Sequence, residues 1–163
     1  AYGEAKAAAE ALVSAVHPAA AIVRTSLIYG FEPPDMHTRF ALDVAAGRRH
    51  EALFADELRC PIYVDDLAAA LLELADLPYR GVLHVAGAET LSRYAFGRLL
   101  VAAHGGDPDA LRSALSAEQP VRRPRNCAMS SARAQVLLRT PLRGVSEVLQ
   151  ERESGRARGR ESG

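Results

Sequence analysis

Apolar residues recur along the chain with regular spacings, and these spacings predict alternating helices and strands. Residues 2–16 form an alanine-rich run of strong helix formers that His17 and Pro18 end, which predicts a first helix. The apolar, β-branched first half of residues 20–28 predicts a strand buried on both faces, as in a parallel sheet. Further strands are predicted over residues 53–54, 60–64 and 81–85, and further helices over residues 38–46, 92–104, 130–138 and 144–150.

Polar residues predict the ends of some elements and the nature of the last segment. Asp65 or Asp66 is expected to cap a helix that runs through Leu74, because aspartate is a favoured N-cap residue. Residues 151–163 mix charged residues with glycine and serine and have no apolar period. A disordered tail is therefore expected over residues 151–163.

Composition excludes several kinds of partner. The 163 residues are 48% hydrophobic, which is enough for one modest domain with its own core. Twenty basic and 20 acidic residues give a net charge of zero, so no nucleic-acid partner is expected. Arginine or aspartate interrupts every apolar run, so no membrane partner is expected either. The histidine spacing indicates no metal site, and two distant cysteines predict reduced thiols in a cytoplasmic protein.

Tyr2 and Lys6 are the candidate catalytic residues, because a spacing of four places both on one face of the first helix. A cation beside a phenol favours the phenolate and so makes a tyrosine a better proton-transfer group. Lys6 is the only lysine in the chain, against 19 arginines. A compact ammonium and a planar guanidinium are not interchangeable where geometry is tight, so this choice indicates a chemical requirement. The alternative is a surface tyrosine beside a solvated lysine.

Two further segments are candidates for ligand contacts. Residues 25–30 follow the first predicted strand, and ligands of open α/β sheets bind at the carboxyl ends of strands. Residues 120–126 contain two prolines and three arginines, which predicts an extended loop with a dense positive charge. Arginine forks match phosphate oxygens, so this loop is a candidate anion site. A plain turn and a solvated loop are the respective alternatives.

Five short motifs follow one another along the chain: Tyr-Gly-x-x-Lys-x-x-x-Glu, Val-Arg-Thr-Ser-x-Ile-Tyr-Gly, Tyr-Val-Asp-Asp-Leu-Ala, Gly-Val-Leu-His-Val-Ala-Gly and Arg-Pro-Arg-Asn. In this order and spacing, residues 1–150 resemble the extended short-chain dehydrogenase/reductases, and most of all the dTDP-4-dehydrorhamnose reductases. The resemblance implies an α/β fold, made of the C-terminal portion of a Rossmann-type parallel sheet plus a small mixed α/β substrate-binding domain. Residues 1–30 would be the last helix–strand unit of the Rossmann domain, and residues 31–150 would be the substrate-binding domain.

The resemblance also implies a reaction, the NAD(P)H-dependent reduction of a nucleotide-sugar ketone. Tyr2 would protonate the ketone oxygen while NADP or NAD, in reduced form, delivers hydride. Lys6 would hold the nicotinamide ribose hydroxyls and assist Tyr2. Thr25 and Ser26 would lie beside the nicotinamide, mostly through their backbone.

Three more residues are implied to bind the substrate. Arg59 and Arg123 would hold the diphosphate of the nucleotide sugar, since charge-assisted contacts suit a dianion. Leu27 would face the sugar, at a position where the rhamnose-type reductases tend to carry an aromatic residue. This difference leaves the identity of the sugar open.

The family's glycine-rich phosphate loop, and the serine or threonine that assists its tyrosine, do not occur in these 163 residues. Because the chain also opens with Ala1 inside a predicted helix, we expect it to be the C-terminal half of a longer protein, inactive by itself and poorly soluble because residues 21–25 expose a strand edge. The full-length form is a candidate homodimer. An epimerase or dehydratase of the same superfamily, a non-catalytic nucleotide-binding regulatory subunit and a truncated relic are the alternative functions.

Overall fold

The computed structural model describes residues 2–120 and 123–161, which fold into short helices and short strands. Val121 and Arg122, in the predicted arginine-rich loop, lie outside the described residues, as do Ala1, Ser162 and Gly163. In the described part of the chain, the α-helices are α1 (Tyr2–Val16), α2 (Met36–Ala45), α3 (Val64–Ala75), α4 (Arg93–Ala103), α5 (Ala132–Leu137) and α6 (Val145–Glu161). The strands there are β1 (Ala21–Arg24), β2 (Ile28–Tyr29), β3 (Leu53–Phe54), β4 (Leu58–Arg59), β5 (Ile62–Tyr63), β6 (Gly81–His84), β7 (Leu91–Ser92) and β8 (Ser113–Ala114).

The strands pair two by two, mostly in parallel. β1 lies parallel to β6, with Ala21 opposite Gly81 and Arg24 opposite His84. β2 pairs in parallel with β5, and β3 with β8, whereas β4 and β7 are antiparallel. Helices alternate with these parallel and antiparallel pairs, which confirms the predicted mixed α/β class. The division at residue 30 into two domains stays a prediction.

The parallel pairing of β1 agrees with the sequence, but the prediction that this strand is buried on both faces is wrong. Ala21 and Arg24 are exposed, and Ile22 and Val23 are only half-buried. β1 has β6 as its one neighbouring strand within residues 2–120 and 123–161. The helix that precedes it, α1, has no buried residue of its own in the described structure, so it covers β1 only in part.

Three apolar clusters make up the core. The first joins α3, β6 and α5, and the second is an aromatic cluster in which Tyr29, Phe31 and Phe96 pack against α6. The third lies between α2 and α4, which approach closely over β3. Gly97 permits α4 to lie this close to β3, because a Cβ there would lie 2.4 Å from the side chain of Leu53. The second and third clusters therefore fix α2 and α4 relative to the sheet.

The predicted capping of α3 is wrong. The N-cap of α3 is Tyr63, with no side-chain hydrogen bond, and Asp65 and Asp66 lie in the first helical turn. Asp66 is instead only 3% exposed. Its carboxylate accepts hydrogen bonds from the backbone N and the Nε of Arg143, both at 3.1 Å, and pairs with Nη2 of the same residue. These hydrogen bonds raise the pKa of Arg143 and fasten α3 to the segment that leads into α6.

The disordered tail predicted over residues 151–163 is a third correction for residues 151–161, because α6 continues to Glu161. Glu151 pairs with Arg143, and the guanidinium of Arg152 stacks 3.9 Å from the ring centroid of Phe31. Arg152 also lies 3.4 Å from Oε1 of Glu32. These contacts attach α6 to the rest of the fold at residues that follow its last buried apolar side chains. An apolar period cannot predict a helix there.

None of the helices within the described residues has the length and apolar character that a membrane span needs.

We expect Asp66→Asn to lower the free energy of unfolding by about 3 kcal/mol, because it breaks a buried ion pair and leaves Arg143 with Glu151 as its remaining partner. Denaturant unfolding at neutral pH measures this change. Asp65→Asn is the matched control, since Asp65 is an exposed neighbour in the same helical turn, and it should change the free energy by less than about 0.5 kcal/mol. Equal effects of the two substitutions would contradict the assigned importance of the Asp66–Arg143 pair.

Candidate functional site

Tyr2 and Lys6 lie on the same face of α1, in its first two turns. The Nζ of Lys6 is 5.9 Å from the centroid of the Tyr2 ring, within the range of a cation–π contact. The side chain of Tyr2 is 79% exposed, so its hydroxyl is open to a ligand. The structure thus brings the two residues together as their spacing predicts.

The direction of α1 places this pair near the carboxyl end of β1. The chain reverses between α1 and β1, and the carboxylate of Glu10 accepts hydrogen bonds from Nε of Arg24 at 2.9 and 3.2 Å. Tyr2 lies about 12 Å further along the helix axis than Glu10, because an α-helix rises 1.5 Å per residue. From this direction we infer that the pair lies toward the carboxyl end of β1, which is where open α/β sheets bind ligands.

The residues that follow β1 differ in what they can offer a ligand. Thr25 is exposed. The Oγ of Ser26 accepts a hydrogen bond from the backbone N of Cys60 at 3.1 Å, so this hydroxyl joins the end of β1 to the segment before β5. Leu27 is half-buried against the aromatic cluster, and its carbonyl accepts from Ile62 N at 2.8 Å. The side chain of Leu27 therefore contributes to packing as well as to the surface.

Arg59 fastens the arginine-rich loop to the sheet. Its Nη1 donates to the carbonyl oxygens of Leu58 at 2.7 Å and Arg125 at 3.2 Å, and its Nη2 donates to that of Pro124 at 3.1 Å. The Arg59 side chain is only 16% exposed. The structure therefore assigns much of the hydrogen-bonding capacity of Arg59 to holding the loop that carries Arg123.

A cleft of about 570 Å³ lies beside this loop, between α2, the segment around β3 and the start of α4. Arg123 lines it, together with Arg93, His37 and Glu57, which the sequence analysis missed. The strands beside the cleft, β3 and β4, have two residues each and are too short to show an apolar period. No sequence motif marks Arg93, His37 or Glu57 either.

Charge in the cleft is strongly unbalanced. Glu57 is 2% exposed, with Oε2 at 3.5 Å from Nη2 of Arg59 and no hydrogen-bond partner for Oε1 among the described residues. Burial lowers the pKa of Arg93, the charge of Glu57 raises it, and the charges of Arg59 and Arg123 lower it. The lining of the cleft carries four arginines (Arg39, Arg49, Arg93 and Arg123) against two carboxylates (Asp43 and Glu57). Such a surplus of positive charge suits an anionic ligand.

His37 completes the wall of the cleft. Burial lowers the pKa of His37, which favours its neutral form at neutral pH. Its Nδ1 lies 3.4 Å from Nη2 of Arg93 and can accept from it when neutral. As for metals, the described residues contain no group of three side chains placed to hold a metal ion.

Comparison with known proteins identifies the family. A family model described as the RmlD substrate binding domain matches residues 1–153. The chain belongs to this family. Its relatives in the family include the dTDP-4-dehydrorhamnose reductase of Mycobacterium tuberculosis, 37% identical over 145 residues that make up 87% of this chain and 48% of the relative. The reductase of the same name from Mycolicibacterium smegmatis is 35% identical over 153 residues, 92% of this chain and 47% of the relative.

A solved structure gives the same result for the fold. The dTDP-4-dehydrorhamnose reductase from Bacillus anthracis, in complex with NADP, superposes with a TM-score of 0.78 at 21% identity, over 92% of this chain and 53% of that one. The resemblance that the five motifs predict is thus confirmed. This RmlD-family chain spans about half the length of the curated relatives it matches.

We expect Arg59→Met to loosen the segment around residues 124–127, because it removes two charged donor contacts to the backbone carbonyls of Pro124 and Arg125. The backbone N of Cys127 donates to Leu58 O at 3.1 Å beside this anchor. Amide hydrogen exchange at Cys127 should become about tenfold faster or more. Arg39→Met changes an exposed arginine of α2 and is the control. Unchanged exchange at Cys127 in Arg59→Met would show that Arg59 does not hold the loop.

Proposed function

We propose that this chain is the substrate-binding half of an enzyme that reduces a nucleotide-sugar ketone with NADPH or NADH. The observation that carries the proposal is the Tyr2–Lys6 pair, which lies on one open helix face. The membership of the chain in the RmlD substrate-binding domain family supports a nucleotide-sugar substrate. The name of the mycobacterial relatives, dTDP-4-dehydrorhamnose reductase, supports a reduction.

The residues near the end of β1 fit a nicotinamide nucleotide. Tyr2 and Lys6 present a hydroxyl and an ammonium donor on one helix face, and Thr25 is exposed after β1. The ribose hydroxyls and the nicotinamide ring of the cofactor would therefore have polar neighbours there. The bound cofactor supplies the hydride. Tyr2 donates its hydroxyl proton to the oxygen of the ketone as that oxygen gains negative charge. Lys6 holds the ribose hydroxyls and stabilises the phenolate that remains on Tyr2.

The arginine-lined cleft takes the diphosphate of the nucleotide sugar. Arg123 donates to phosphate oxygens from a loop that Arg59 holds in place through its carbonyls. Leu27 lies at the edge of the aromatic cluster and contacts the sugar with the exposed part of its side chain. Homodimerisation of the longer protein stays a prediction.

A chimera tests the function. Residues 1–163 replace the matching C-terminal half of the Mycobacterium tuberculosis relative, and the loss of NADPH absorbance is followed with dTDP-4-dehydrorhamnose. We expect turnover by the chimera, and a decrease in kcat of about 10²- to 10⁴-fold in Tyr2→Phe, because the substitution removes the general acid. We expect Lys6→Met to raise KM for NADPH as well as to lower kcat. The 163-residue chain alone is assayed in parallel.

Tyr79→Phe is the matched control, because the hydroxyl of Tyr79 donates to Val82 O at 2.9 Å and so has a structural partner. Its kcat should stay within about twofold of the parent chimera. A folded chimera that binds NADPH and keeps full kcat in Tyr2→Phe would refute the assignment of Tyr2. Conversion of a nucleotide sugar without net consumption of NADPH would favour the epimerase alternative.

A further inference from the structure

The guanidinium of Arg93 lies in the cleft, and most of its N–H donors have no hydrogen-bond partner among the described residues. It is the first residue of α4, half-buried, and it lines the cleft of about 570 Å³. Within residues 2–120 and 123–161 its guanidinium makes one hydrogen bond, to Nδ1 of His37 at 3.4 Å, and no ion pair. A guanidinium carries five N–H donors, so most of them are available to a ligand.

The backbone holds Arg93 in this position. The antiparallel pairing of β4 with β7 sets Leu58 opposite Ser92, and the backbone N of Arg93 donates to Glu57 O at 3.0 Å. Ser92 caps α4, with its Oγ accepting from Ala95 N at 3.0 Å, so the first turn of the helix is also fixed. Arg93 therefore keeps its place without an ion pair of its own.

Too little negative charge surrounds the guanidinium of Arg93, and an anion in the cleft would supply it. Glu57 attracts Arg93, but the charges of Arg59 and Arg123 repel it, and burial adds a desolvation cost. By contrast, Arg49 on the same cleft wall is paired with Glu51 at 2.6 Å. Packing alone gives no reason to half-bury a guanidinium that has no ion pair among the described residues, whereas an anion in the cleft would stabilise both Arg93 and Arg123.

We propose that Arg93 contacts the anionic group of the ligand directly and that, together with Arg123, it determines the specificity of the cleft for two adjacent phosphoryl groups. The identification of that ligand as a nucleotide diphosphate sugar rests on the proposed function. The fork of Arg93 contributes geometry as well as charge, because planar guanidinium groups bind phosphate oxygens through two parallel hydrogen bonds.

Isothermal titration of the 163-residue chain tests this role, with inorganic pyrophosphate as the first probe and thymidine diphosphate as the second. We expect Arg93→Met to weaken the binding of both probes by about tenfold or more. Arg93→Lys keeps the charge without the fork and should recover only part of the affinity. Arg98→Met is the control, since Arg98 lies on the same helix but pairs with Asp109 at 2.8 Å outside the cleft, and it should bind both probes like the parent chain.

Each outcome of the titrations either supports or overturns the role of Arg93 in binding the anion. Undiminished binding of pyrophosphate by a folded Arg93→Met chain overturns the proposal, as does a parent chain that binds neither probe. If Arg93→Met fails to fold, Arg93→Lys carries the test, and parent-like affinity in that variant overturns the role of the fork. Arg93-dependent binding of pyrophosphate, with thymidine diphosphate bound no more tightly, supports the anion contact and removes support from the proposed nucleotide substrate.

Discussion

The ion pair between Glu10 of α1 and Arg24 of β1 holds the helix that carries the Tyr2–Lys6 pair against the sheet. α1 has no buried residue in the described structure, so little apolar packing orients it there. The two nitrogens of Arg24 that contact Glu10 meet both carboxylate oxygens, and this bidentate geometry fixes direction as well as distance. Exposed ion pairs contribute only about 0–1 kcal/mol to stability, so the pair sets orientation more than it adds free energy.

Four arginines of the described chain show two different uses of a guanidinium group. Arg143 is saturated by Asp66 and Glu151, and Arg152 lies on the ring of Phe31, so both serve the attachment of α6. Arg93 and Arg123 instead border a cleft in whose lining arginines outnumber carboxylates. A chain with zero net charge can therefore still concentrate positive potential at one place, because its carboxylates are distributed unevenly among the guanidinium groups.

Local signals in the sequence predict the positions of the first helix and the first strand well. Most of the features that the sequence does not predict depend on long-range contacts. The alanine-rich run fixes α1 because helix propensity accumulates over many residues. Asp66 has the residue type of an N-cap, yet its partner is Arg143, 77 positions away, and no local pattern encodes such a contact. Arg93 likewise reaches the cleft through the pairing of two-residue strands, which are too short for a period to identify. The motif-based role of Arg59 in binding the substrate stays a prediction, and the loop carbonyls that Arg59 binds become visible only in three dimensions.

The contacts of Arg59 with the loop carbonyls have a consequence for ligand affinity. A flexible arginine-rich loop would have to give up conformational freedom whenever a ligand arrived, and this entropy loss would weaken binding. Because Arg59 already restrains Pro124 and Arg125 in the free protein, that loss occurs during folding instead. Under the proposed function, Arg123 would meet an incoming anion next to two residues whose carbonyls are already held in place.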